Sequence, residues 1–195
     1  MDWVLASASP RRKELLRELI AEFEVIPAKG EEKDEGLREA ALVKALATQK
    51  AREVARLPQA KNKAVLGADT IVALDGETLG KPKDEEDAMR MLRALSGREH
   101  QVYTGVCISV PTNTGERKEY IGATKTEVRF YALSNEQISA YIQTGSPMDK
   151  AGAYGIQDGG LVESINGSYS NVVGLPLEWI AETLKKIDLD GACTD

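Results

Sequence analysis

The sequence predicts a single α/β domain built on a mixed β-sheet. Three observations predict it. Apolar runs of strand length alternate with stretches whose apolar residues recur at helical spacing. The 195 residues suffice for one sizeable core. Hydrophobic residues at 42% and charged residues at 29% match an ordinary globular chain, with no internal repeat or low-complexity tract.

The elements follow in chain order. Trp3-Val4-Leu5-Ala6 is a compact apolar run and reads as a buried strand. Pro10 suits the first position of a helix and Ser9 its cap. Leu15, Leu16, Leu19 and Ile20 then fall on one stripe. Phe23 to Pro27 is a second short strand, and GEEKDEG, residues 30 to 36, is a charged loop. A long helix follows with Leu42, Ala45, Leu46 and Val54 inward, and stops near Leu57-Pro58. AVLGADTIVAL, residues 64 to 74, is a central strand, and Asp75-Gly76 is a hairpin-turn signal. Beyond the Gly80-Lys81-Pro82 loop, a helix from Asp84 spaces Ala88, Met91, Leu92 and Leu95 along one face and stops at Gly97. Val102 to Val110 and Lys118 to Tyr131 are strands with a turn between them. Ser134 to Gln137 forms a capping box, and its helix ends at Gly145 and Pro147. A Gly-rich stretch, 151 to 160, leads to Asn166-Gly167, a second hairpin signal. Pro176 opens a last helix with Leu177, Ile180, Ala181 and Leu184 inward. The domain is expected over residues 1–188, with 189–195 as a polar tail.

Charge and composition exclude several classes. A net charge of -6 argues against general attraction to nucleic acid or to an anionic membrane. No apolar run is long enough to span a bilayer, and the N-terminus lacks a signal-peptide pattern, so a cytoplasmic protein is expected. Two cysteines, Cys107 and Cys193, and one histidine, His100, give neither a disulfide framework nor a His- or Cys-rich metal site.

LASASPRRKELL, residues 5 to 16, sets three cations at a helix start, where the backbone dipole disfavours them. An anion bound there would resolve the conflict. Backbone N–H groups, the Ser7 and Ser9 hydroxyls and the Arg11 and Arg12 guanidiniums could converge on it. Alternatively the basic side chains splay into solvent, as Lys13 is expected to do. Asp69 interrupts an apolar strand. It needs a cation, a metal ion or a place facing a cleft, or else it is a structural Asp bonded to nearby backbone. Glu31, Glu32, Lys50 and Lys81 read on their own as solvated surface. Gln157 either bonds a base edge or caps a turn. GKP lacks the rest of a Walker loop, AGAYGIQDGG has no clean dinucleotide fingerprint, His100 reads as structural, and Ser7 and Ser9 have no histidine partner for a hydrolase triad.

Taken together, LASASPRR, GADTIVALDGETLGKP, DAMRMLRALSGREHQVYTGV, DKAGAYGIQ and NVVGLPL, in this order, resemble the Maf family of nucleoside triphosphate pyrophosphatases. The resemblance runs from about Leu5 to Leu177. It implies an elongated, curved mixed sheet with two lobes around a cleft, akin to the inosine triphosphate pyrophosphatases. It implies release of pyrophosphate from a nucleoside triphosphate with a divalent metal, Mg²⁺ or Mn²⁺, and often a homodimer. No nucleic-acid or membrane partner is implied. By resemblance Asp69 matches the proton acceptor, while Ser7, Arg11, Arg12, Glu32, Lys50 and Lys81 match the phosphate and metal site. Glu32, with Asp69, is matched to the metal. Arg12, Thr70 and Gln157 match the residues of the branch acting on dTTP and UTP, rather than the branch acting on 7-methyl-GTP. After Gln157 the chain reads DGG, a shorter run than is common in the family. A nucleotide-binding regulator of cell division without turnover, and a nucleotidyltransferase, are the alternatives from other classes.

Overall fold

The computed structural model describes residues 1–33 and 36–192. Asp34 and Glu35 of the charged loop, and Cys193 to Asp195 of the expected tail, lie outside the described residues. Seven strands among the described residues form one mixed sheet: β1 (Trp3–Leu5), β2 (Glu24–Val25), β3 (Ala64–Leu74), β4 (Glu77–Leu79), β5 (Glu99–Pro111), β6 (Arg117–Phe130) and β7 (Val162–Asn166). Their order is β2-β1-β3-β5-β6-β7, with β4 on the edge of β3. β1 pairs β2 and β3 in parallel, and the remaining pairs are antiparallel. β5 and β6 run 13 and 14 residues, so each is roughly 40–45 Å long and the sheet is elongated.

Side chains of β3 alternate between two environments, as a strand requires. Val65 and Ile71 pack against α2 (Glu39–Ala55). Leu66 and Ala68 point to the opposite face and share a core with Leu16 of α1 (Pro10–Arg17) and Ile180 of α6 (Leu177–Ala192). Further along that second face, Val72 and Leu74 join a separate core with Leu92 of α3 (Glu85–Leu95) and Ile138 of α4 (Asn135–Gln143). Two cores on one face of a long sheet make two lobes, and the middle of β3 lies between them.

Glycines set how closely α2 approaches. A Cβ at Gly67 would press into the Ala47 carbonyl oxygen, and one at Gly105 into that of Val43. With no side chain at either position, the α2 backbone rests directly on β3 and β5. The Asp75-Gly76 turn takes φ of 53° and 80°, the left-handed pair that a two-residue hairpin turn needs. The Ser134 capping box forms in full.

Two expectations are corrected. Asn166-Gly167 makes no hairpin. It carries β7 into a short helix, α5 (Tyr169–Val173), whose cap Ser168 accepts from Asn171 N. Gly167 has a φ of 131° and sits against Thr126, so the chain bends there toward β6. The last helix runs to Ala192, into the stretch expected as tail. Among the described residues no helix is long and apolar enough to cross a membrane.

Candidate functional site

The site forms where one edge of β3 is left open. β1 pairs that edge only as far as Leu66, and β4 only from Val72 onward. Between them, Ala68, Asp69 and Thr70 face neither neighbour strand. The side chains of Asp69 and Thr70 leave opposite faces of the strand, so a cavity at this edge can reach both.

Arg12 fills part of the gap. Its Nη1 donates to the Ala68 carbonyl at 2.9 Å and to Ser7 Oγ at 3.3 Å. Its Nε donates to the Gly174 carbonyl at 2.8 Å and its Nη2 to Thr70 Oγ1 at 2.9 Å. The guanidinium therefore does for the unpaired strand edge what a neighbouring strand would otherwise do. Burial lowers the Arg12 pKa, with the Asp69 carboxylate pulling the other way. Arg12 was expected to clamp phosphate together with Arg11. Most of its donors are committed to the protein, and it ties α1, β3 and the loop after α5 together.

On the α2 face, Asp69 lies opposite Gly105 in the β3–β5 ladder and is nearly buried. Lys50 reaches it from α2: Nζ donates to Asp69 Oδ1 at 2.5 Å and pairs with Glu32 Oε1 at 2.8 Å. One ammonium thus gathers the two carboxylates matched to the metal. Lys50 and Glu32, read alone as surface, belong to the cavity. Arg11 pairs across the lobes with Asp149 Oδ2 at 2.9 Å. Burial pushes the Asp149 carboxyl up, but hydrogen bonds from Arg11 and Lys150 outweigh it and hold the group below its ordinary value.

A cavity of about 550 Å³ joins these groups, a size within the range of small-molecule sites. Arg11, Arg12, Glu32, Lys50, Asp69, Thr70, Lys81 and Gln157 all line it. Ser7 is not among the lining residues; it is buried, and its hydroxyl accepts from Ser9 N and from Arg12. Among the described residues, the Lys81 ammonium and the Gln157 amide have no hydrogen-bond partner in the protein, so both are available to a ligand. The side with Tyr154, Val72, Val102 and Val172 is apolar.

Sequence reasoning gave no role to Asp149, Lys150, Tyr154 or Gly174. The first three lie in DKAGAYGIQ, and the signal was an adjacent acid and base before a Gly-rich stretch. Their importance depends on a cross-lobe approach that spacing does not encode. His100 is structural as expected. It is fully buried, with Nε2 2.8 Å from the Tyr154 hydroxyl. No group of three or more metal-ligating side chains occurs among the described residues. Glu32 and Asp69, drawn together by Lys50, are two oxygen donors that could hold a hard divalent ion such as Mg²⁺.

A family model described as "Maf-like protein" matches residues 2–187. A relative from Agathobacter rectalis, described as dTTP/UTP pyrophosphatase, is 48% identical over 200 residues, covering 96% of this chain and 98% of its own. One of the same description from Thermococcus kodakarensis is 54% identical over 192 residues, covering 96% and 97%. Among solved structures, the Ham1 protein of Staphylococcus aureus aligns with a TM-score of 0.52 at 18% identity, over 95% of this chain and 99% of its own. A HAM1 protein from Coxiella burnetii gives 0.51 at 16% identity with the same coverage. At such identity the likeness to the solved structures is one of fold.

Proposed function

This chain belongs to the Maf family, and from that premise we propose that it is a pyrophosphatase hydrolysing dTTP and UTP to the monophosphate and pyrophosphate. The observation that carries this reading is the meeting, in one cavity, of a carboxylate held by lysine, the Arg11 and Lys81 cations, the Gln157 amide and an apolar side. Both cited relatives bear the description dTTP/UTP pyrophosphatase.

Hydrolysis at the α-phosphorus requires an aligned water, an acceptor for its proton and relief of the triphosphate charge. Asp69 is the acceptor: the attacking water gives its proton to the carboxylate as oxygen bonds to phosphorus and pyrophosphate leaves. Lys50 holds Asp69 in place and stands ready to meet a phosphate oxygen. Lys81 and Arg11 offer further cationic contacts, and Arg11 must leave Asp149 to make its own. Glu32 and Asp69 are oxygen donors already gathered round one cationic centre, which suits a hard divalent ion. When bound, Mg²⁺ or Mn²⁺ would neutralise polyphosphate charge there. Thr70 and Gln157 meet the pyrimidine edge, where directional hydrogen bonds discriminate bases better than bulk does.

The test is a panel of ribo- and deoxyribonucleoside triphosphates, with and without Mg²⁺ and Mn²⁺, with pyrophosphate and monophosphate both measured. Fastest turnover of dTTP and UTP, giving the two products in equal amounts, is the expected result. Tight binding with no pyrophosphate under any metal would point instead to a nucleotide-binding regulator. Turnover that needs an added acceptor would point to a transferase.

A further inference from the structure

The proton on the Thr70 hydroxyl has its direction dictated from both ends of a hydrogen-bond chain. At one end Arg12 Nη2 donates to Thr70 Oγ1 at 2.9 Å, and a guanidinium can only donate. At the other end Thr104 Oγ1 lies 3.0 Å from the Asn171 carbonyl oxygen, which can only accept. Between them the Thr70 and Thr104 hydroxyls are 2.9 Å apart.

The Asn171 carbonyl settles who donates to whom. Asn171 and Thr104 are both fully buried. The amides that follow α5 do not serve this carbonyl: Gly174 N and Leu175 N both donate to Ser170 O. Residue 176 is proline and has no N–H. An unpaired buried carbonyl is costly, so the single Thr104 proton goes to Asn171. Thr104 must then accept from Thr70, and the single Thr70 proton goes to Thr104. Asn171 is itself pinned, with Nδ2 donating to the Val102 carbonyl at 3.1 Å and to Thr126 Oγ1 at 3.0 Å.

Thr70 lines the cavity with its proton spent and one lone pair taken by Arg12. It can offer a ligand one remaining lone pair and nothing else. We propose that Thr104 is a positioning residue for base selection: by taking the Thr70 proton it makes Thr70 a fixed acceptor, which favours a base bearing N–H at the matching position. Uracil and thymine carry hydrogen on N3, whereas cytosine presents a lone pair there. The Gln157 amide can flip to offer either its donor or its acceptor, so it adapts to both kinds of edge. Thr70 cannot, because Arg12 and Asn171 hold the chain at its two ends. This inference rests on the reading that Thr70 faces the base.

The experiment compares kcat/KM for UTP and CTP in the unaltered enzyme, Thr104→Val, Thr104→Ser and Thr70→Val, with thermal melting of each. Thr104→Val frees the Thr70 proton to turn toward the cavity. The UTP-to-CTP ratio should then fall by about tenfold or more through a relative gain on CTP. Thr104→Ser restores the acceptor and should keep the ratio within about twofold of the unaltered enzyme, as a retained hydrogen bond requires. A folded Thr104→Val enzyme with the original ratio overturns the inference. If Thr70→Val loses the preference while Thr104→Val keeps it, the relay fails and base reading by Thr70 stands. If Thr70→Val keeps the preference, both fall. Should Thr104→Val not fold, UTP methylated at N3 tests the unaltered enzyme. Loss of turnover supports the fixed acceptor, and turnover equal to that of UTP overturns it.

Discussion

Lys50 Nζ lies 2.5 Å from Asp69 Oδ1, and the contact depends on two glycines that bear no side chain toward it. Gly67 is on the same face of β3 as Asp69, and Gly105 is the partner of Asp69 in the ladder. Both admit the backbone of α2. A helix resting on side chains would stand farther off, and its lysine would stand off with it.

Gly67→Ala should therefore do more than crowd the core. Overpacking of this kind costs about 1–3 kcal/mol, readable in a urea melt. The displaced α2 should also carry Lys50 away from Asp69. The expected outcome is a loss of kcat that persists at temperatures where the variant is fully folded.

Arg12→Lys keeps the charge but loses the fork that meets Gly174, Ala68, Ser7 and Thr70 together. Buried carbonyls at the open strand edge would lose their donor. A stability loss of about 2–4 kcal/mol is expected, because several partners are orphaned at once. Comparison of denaturant midpoints checks it.

Asp149→Asn removes the carboxylate that holds Arg11 across the cleft. The pair is partly exposed, so stability should change by less than about 1 kcal/mol. KM for dTTP should fall, since Arg11 no longer has to be drawn from a competing anion. The difference between the two enzymes should shrink as salt rises, which a KM series from low to high ionic strength would show.

His100 gives stability a pH dependence with a definite sign. Burial lowers its pKa from the ordinary 6.5 to about 4. Between those values the unfolded chain binds a proton that the folded protein refuses, so stability rises with pH. The contribution is present above pH 6.5 and is lost as pH falls through about 4. Its full size is about 3 kcal/mol at most. In His100→Gln, stability measured from pH 7 to pH 4 should fall less steeply than in the unaltered protein.

Much of the fold could be read from the sequence because local rules and tertiary packing agreed. The apolar run of β3, the Ser134 capping box, and the inward stripe of α3 each had one good solution. Asn166-Gly167 misled because a turn dipeptide fits a strand-to-helix corner as well as a hairpin. At the site, spacing could flag Asp69 as a costly carboxylate. It could not show that Lys50 and Glu32 meet it, since both look like surface until α2 is laid on the glycines. Nor could it show that Arg12 spends its donors on a strand edge and on the Ser7 hydroxyl. Those facts depend on which stretch of β3 lacks a neighbour strand.

The proposed mechanism turns on Asp69 taking the proton of the attacking water at a site that binds dTTP. Asp69→Asn keeps the shape and a hydrogen-bonding group while removing the acceptor. Release of pyrophosphate from dTTP, measured beside nucleotide binding by calorimetry, tests the claim directly. A fall in kcat of about a hundredfold or more is expected, with binding of dTTP retained. Turnover in Asp69→Asn equal to that of the unaltered enzyme would contradict it.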